Sequence, residues 1–159
     1  MSAQRNTALA DQRALDAELC MFVTMRIDRQ LFGVPVRHVR DVLRRQNITR
    51  IPLAPAEVAG SLNLRGRIVT VIDLRTRLRL LANESATAGM FVVVDHRGEL
   101  YSLMVDTVGE VMTVAAGAIE KTPANLGGAW QDVATGIYKL DGELLVIIDV
   151  EALLTLQPK

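Results

Sequence analysis

The chain has 159 residues, half of them hydrophobic, and its 18 Lys or Arg balance 18 Asp or Glu. That composition excludes a disordered chain and is enough for one compact domain or two small, interdependent ones. The longest apolar stretches fall far below the roughly 20 residues of a membrane-spanning helix, and a single cysteine, Cys20, rules out an internal disulfide and fits a reducing, cytoplasmic location.

In chain order, residues 1–20 carry Leu9, Leu15 and Leu19 among Asp11, Asp16 and Glu18. They lack the continuous apolar centre of a secretion signal and read as a short helix or an arm. Residues 21–27 and 31–36 are rich in Val, Ile and Phe about the polar break Asp28, Arg29, Gln30, which predicts a hairpin. A short apolar stretch with an acidic insertion follows, Val39, Arg40, Asp41, Val42, and then a loop holding Pro52 and Pro55. Residues 58–64 and 67–72 form a second hairpin about the two-residue turn Arg65–Gly66, ending on Asp73 before leucines at helical spacing. Asp73 therefore reads as a helix N-cap, its carboxylate accepting from free backbone N–H groups.

The second half repeats this order. Met21, Phe22, Val23 and Phe32 recur as Met90, Phe91, Val92 and Tyr101, a shift of 69, and Gly60, Leu64, Gly66, Ile72 and Asp73 recur as Gly136, Leu140, Gly142, Ile148 and Asp149, a shift of 76. Val108, Gly109, Glu110 and Val111 answer the VRDV stretch, and a loop with Gly117, Pro123, Gly127 and Gly128 answers the proline loop. Such a period means one supersecondary unit used twice. About five short strands per copy predict a mainly β fold of two five-stranded barrels with short helices, since closure removes exposed strand edges. The expected organisation is an arm or helix at 1–20, one barrel from 21–80 and another from 81–159.

The copies differ in charge. Residues 21–80 hold 12 Lys or Arg against 4 Asp or Glu, and residues 81–159 hold 4 against 11. Unlike faces of this kind either steer partners together or are simply solvated. They differ also at one turn: Asp141–Gly142 suits a type I′ hairpin, whereas Arg65 is a poor choice where positive φ is required. Either Arg65 is kept for what its guanidinium touches, or its turn is not type I′.

Reactive constellations do not assemble. His38 and His96, with one distant cysteine, make no zinc set by spacing; Asp73 and Asp149 are better explained as caps than as an acid–base pair; no GxxxxGK or GxSxG element is present. Met25, Met90, Met104 and Met112 read as core filling. No catalytic residue, cofactor or metal is therefore expected. The arginines of the first copy raise nucleic-acid binding as a rival, but aromatic residues make up 4% of the chain, and Tyr138 and Trp130 are too few for a base-stacking platform.

The stretch VPVRHVRDVLRRQNITRIPLAPAEVAGSLNLRGRIVTVIDLRTRL, with LMVDTVGEVM and the closing GIYKLDGELLVIIDV, resembles the CheW family of bacterial chemotaxis adaptors over residues 21 to about 154. The same fold serves as the regulatory domain of the histidine kinase CheA, but nothing here resembles that kinase's ATP-binding or phosphotransfer parts. The resemblance implies two SH3-like five-stranded barrels packed about a shared apolar centre, no catalysis, and a cytoplasmic adaptor that couples the tips of transmembrane chemoreceptors to CheA in signalling arrays, with further CheW copies as possible ring partners. It places functionally sensitive positions on Val39, Asp41, Gly60, Arg65 and Gly66; Asn63 in the same turn, and Val108, Glu110 and Val111 in the second copy, are further candidate partner contacts. Asp41 departs from the more usual Glu, and Ser61 stands where an apolar residue is common. The charge pattern then predicts that the basic first barrel docks on the second barrel of the CheA regulatory domain, and conversely. Val39, Val108 and Val111 either line an apolar groove between barrels for the receptor tip or belong to the core.

Overall fold

The computed structural model describes residues 18–80 and 89–155; most of the expected N-terminal arm or helix lies outside them. Ten strands are formed: β1 (Leu19–Ile27), β2 (Gln30–Pro35), β3 (Val39–Arg44), β4 (Val58–Leu64), β5 (Arg67–Asp73), β6 (Met90–His96), β7 (Glu99–Val105), β8 (Thr107–Ala115), β9 (Ala134–Leu140) and β10 (Glu143–Ile148). Three short α-helices accompany them among the described residues, α1 (Leu74–Arg77), α2 (Gly128–Val133) and α3 (Val150–Leu154). Leu19 and Cys20, expected in the arm, already belong to β1.

The strands make two five-stranded sheets, in the orders β8-β1-β2-β10-β9 and β3-β6-β7-β5-β4. The expected division at residue 80 is therefore corrected: each sheet takes its leading hairpin from one copy of the repeat and its other three strands from the other. Parallel pairing makes the exchange, β2 beside β10 and β5 beside β7, and neighbouring parallel strands cannot be joined by a tight turn. Each sheet curls towards closure through one bridge, Thr49 to Ser61 in one and Glu120 to Ile137 in the other. Gly60 and Gly136 make those closures possible. A Cβ on Gly60 would stand 2.4 Å from the Thr49 carbonyl oxygen, and one on Gly136 2.8 Å from that of Glu120.

The packing explains the exchange. Phe91 and Val93 point into one barrel with Leu62, Val69, Val71 and Leu100, while Val92 and Val94 point out of it into a core shared with Met25, Ile27, Phe32, Val34, Val146 and Ile148. The continuous apolar run of β6 is thus a strand buried on both faces. Phe22, Leu31, Val114, Leu145 and Ile147 fill the other barrel. Helix α2, in a stretch expected to be loop, sends Trp130 into the shared core, its ring 5.5 Å from that of Phe32.

Both expected caps form. Asp73 accepts from the amides of Arg75 and Thr76, and Asp149 from those of Glu151 and Ala152. Behind the caps, α1 ties the barrels together. Arg75 Nη2 lies 2.7 Å from Asp106 Oδ2 and its Nη1 3.6 Å from Asp28 Oδ1, and Arg77 donates to the Leu153 and Ala152 carbonyls at the end of α3. Across the repeat Arg75 corresponds to Glu151 and Asp28 to Arg97, and Glu151 pairs with Arg97. The same cross-barrel contact is made twice with its charges reversed.

Charge segregates by barrel even though the barrels do not coincide with the sequence halves. Among the described residues, the barrel of 37–80 and 89–105 holds 11 Lys or Arg against 5 Asp or Glu; the barrel of 18–36 and 106–155 holds 4 against 10. They are called the basic and acidic barrels below.

Candidate functional site

At one end of the basic barrel, the turn between β4 and β5 has Arg65 at φ 51 and Gly66 at φ 84, which decides between the two readings of its sequence. Both central residues are left-handed, the type I′ requirement. Asn63 braces the turn, its Oδ1 accepting from the Gly66 amide at 2.8 Å. A Cβ on Gly66 would meet nothing, so glycine is there for its backbone conformation alone. Arg65 is 83% exposed, and its Nη2 reaches Asp41 Oδ2 on β3 at 3.5 Å, a contact worth at most about 1 kcal/mol in solvent. A strained residue held by so weak a contact leaves most of its guanidinium donors for something else.

The counterpart in the acidic barrel departs from expectation. At Asp141–Gly142 only the glycine is left-handed, with φ 83, so this turn is not type I′. The arginine adopts the costly conformation and the aspartate avoids it. Glu110, the counterpart of Asp41, has no ion pair among the described residues, because Asp141 stands where its arginine would be.

The hairpin expected about residues 95–98 forms, and its turn has the same arginine–glycine construction, which sequence reasoning did not single out. Between β6 and β7, Arg97 has φ 53 and Gly98 φ 82, and Asp95 Oδ1 accepts from the Gly98 amide at 3.0 Å. Arg67 Nη2 donates to the Gly98 carbonyl at 3.2 Å, tying the two turns together, and Arg40 Nε lies 3.7 Å from Asp95 Oδ2. The signal was legible: Asn63-Leu64-Arg65-Gly66 and Asp95-His96-Arg97-Gly98 share the spacing of acceptor, arginine and glycine. Exposed Ile68, opposite Asn63 on β5, adds an apolar contact surface to this end of the barrel.

The remaining candidates separate. Gly60 is buried and acts through barrel closure. Val39 and Val108 are half-buried against the shared core. Val111 is 50% exposed and lies elsewhere, in a groove of the acidic barrel with Glu110, Leu31, Met112 and Leu140. There the Thr24 hydroxyl donates to the Glu110 carbonyl at 2.6 Å, and a two-pronged Arg26–Glu143 pair, at 2.9 and 3.0 Å, forms the rim. That pairing raises the Arg26 pKa and lowers the Glu143 carboxyl below its ordinary value. Burial, then repulsion from Arg37, pushes His38 below its ordinary 6.5. Among the described residues, no three His, Cys, Asp or Glu side chains are placed to hold a metal ion, and no helix is long and apolar enough to cross a membrane. Phe22, Phe32, Phe91 and Trp130 are buried, so they offer no faces to nucleic-acid bases.

Residues 21–157 match the family model of the CheW-like domain. The chain belongs to the CheW family. It is 32% identical to a probable chemotaxis protein CheW of Rhizobium etli across 87% of each chain, and 27% identical to chemotaxis protein CheW of Rhizobium meliloti across 82% of this chain and 84% of that one. Its fold is similar to the crystal structure of scaffolding protein TtCheW from Thermoanaerobacter tengcongensis, with a TM-score of 0.80, 28% identity and coverage of 89% of this chain and 97% of the other. The NLRG and VIDLR elements of this CheW-family chain thus divide their work. The first displays Arg65 to solvent, and the second sends Arg75 inward to join the barrels.

Proposed function

We propose that this protein is a non-catalytic chemotaxis adaptor that couples the cytoplasmic tips of chemoreceptors to the histidine kinase CheA, working in the cytoplasm at membrane-associated receptor arrays. The observation that carries this reading is the Arg65–Gly66 turn, strained, braced by Asn63 and Asp41, and exposed on the basic barrel. A rigid, permanently charged fork on a fixed turn suits carboxylates or backbone carbonyls of a partner protein. Asp41, Asn63, Arg65 and Gly66 would contact an acidic barrel of the CheA regulatory domain, and Glu110 and Val111 a basic one. Val39 and Val108, flanking the shared core, are the candidate contacts for the helical receptor tip. Copies of the chain would use the same unlike faces on one another. The separation of charge by barrel, 11 cations to 5 anions against 4 to 10, supports such heterologous contacts.

The test is capture of the CheA regulatory domain by the full chain. Arg65→Glu should weaken capture at least about tenfold, Arg65→Lys less, and wild-type capture should fall as salt rises from low to physiological levels. Undiminished capture by Arg65→Glu sinks the assignment of this turn, and salt-independent capture sinks the electrostatic part.

A further inference from the structure

Leu53 is 98% exposed and sits at φ 63. An exposed leucine is ordinary, and so is a strained loop, but their coincidence is not. Left-handed backbone crowds the Cβ, and asparagine or glycine would hold the same turn without hydrophobic exposure. The loop is also braced. Thr49 and Ser61 exchange backbone hydrogen bonds of 2.8 Å at its entry, the Val58 amide donates to the Pro55 carbonyl at 3.0 Å at its exit, and Pro52 and Pro55 restrict the chain between. Ile51 is a second exposed apolar residue, with Arg50 beside it. This is the form of an apolar anchor whose ordering cost is met within the free protein and whose gain comes only on burial by a partner.

The acidic barrel carries a socket of matching chemistry. Its groove, about 460 Å³, is lined by Leu31, Met112, Leu140 and the half-exposed Val111 together with Glu110, and by Arg26 and Glu143, whose charges are spent on each other. Glu110 occupies the position at which Asp41 of the other barrel meets an arginine, and it faces no ion-pair partner among the described residues. An apolar floor with an unanswered carboxylate calls for an apolar side chain accompanied by a cation.

We propose that Leu53 of one copy of this chain inserts into the acidic-barrel groove of a second copy, bringing Arg50 towards Glu110. The inference rests on the adaptor reading in that copies join through unlike faces, and it names the contact. Because anchor and socket are on different barrels, the contact is heterologous and repeats head to tail.

Sedimentation of the full chain from micromolar to millimolar concentration at low salt tests it. Wild type should associate with rising concentration. Leu53→Asp, which spoils the anchor, and Val111→Glu, which spoils the socket, should each weaken association about 30-fold, equivalent to about 2 kcal/mol. An equimolar mixture of the two variants should form a one-to-one dimer and stop there, since one intact anchor meets one intact socket. A wild type that stays monomeric at millimolar concentration, variants that associate like wild type, or a mixture that stays monomeric each overturns the proposal. Thr113→Glu, at an exposed position on the same groove, replaces Val111→Glu if that variant does not fold. Capture of the CheA regulatory domain, scored on Arg65→Glu, reads the adaptor assignment separately, so the two can fail independently.

Discussion

Replacing Arg75 by methionine keeps most of the apolar stem and deletes the guanidinium that joins the barrels. Its side chain is 12% exposed, 2.7 Å from Asp106 and 3.6 Å from Asp28, and those carboxylates are 30% and 57% exposed. Unit charges about 4 Å apart attract by about 4 kcal/mol at an effective dielectric of about 20. Exposure removes most of the Asp28 share, and the desolvation regained by losing Arg75 offsets part of the Asp106 share. The expected net loss is about 2–3 kcal/mol, measured as a lower urea midpoint at constant m. Asp106 also accepts from the Asp28 amide, a bond that asparagine can keep. The cycle of Arg75→Met with Asp106→Asn should therefore show a coupling of about 1.5 kcal/mol. Arg97→Met, at the charge-reversed contact where arginine and glutamate are 75% and 58% exposed, should cost under about 1 kcal/mol. A coupling below about 0.3 kcal/mol for Arg75–Asp106, or an equal cost at the two contacts, would refute the reasoning.

Arg65→Gly relieves the left-handed arginine and should stabilise the fold by up to about 1 kcal/mol in thermal or urea unfolding, while weakening capture of the CheA regulatory domain; a destabilised variant would contradict the strain at this turn. Gly60→Ala drives a Cβ into the Thr49 carbonyl and should cost at least about 2 kcal/mol, with loss of amide-exchange protection at Thr49 and Ser61 as the local signature. Asp73→Ala and Asp149→Ala should each cost about 1 kcal/mol, and the two losses should add if the helices act independently. His38 has a lowered pKa, so the unfolded chain binds the proton more readily. The stability it contributes is present above 6.5 and is lost as pH falls through its folded value. Urea unfolding across that range should flatten in His38→Gln, and an unchanged profile would remove this histidine from the account.

The hairpins were legible because each has apolar strands meeting at a short polar or Gly-containing turn, and the caps because Asp73 and Asp149 directly precede leucines at helical spacing. The exchange of strands was not, since period and turn chemistry describe neighbours in sequence while partner choice is settled by which faces are buried. The run Met90–Val94 held the clue: four consecutive buried residues need apolar surroundings on both sides of the strand. Helix α2 escaped notice because Gly127 and Gly128 read as loop, and only burial of Trp130 makes a helix worthwhile there. At the candidate site, Arg65 stood out from the sequence by its conflict with its turn, but its pairing with Asp41 links strands distant in the chain. Asp141–Gly142 was assigned the wrong turn because an Asp-Gly pair is compatible with more than one turn geometry.

Exchange of strands also sets the order in which a growing chain can fold. The basic barrel needs nothing beyond β7 and can close once Val105 has left the ribosome. The β1–β2 hairpin must wait for β8, β9 and β10, so Phe22 and Leu31, which face the acidic barrel's interior, stay uncovered until Ile148 is joined. The earliest strands are thus the last to be housed, and in that interval the open edge of β2 is where a chaperone or a second nascent chain would find this protein.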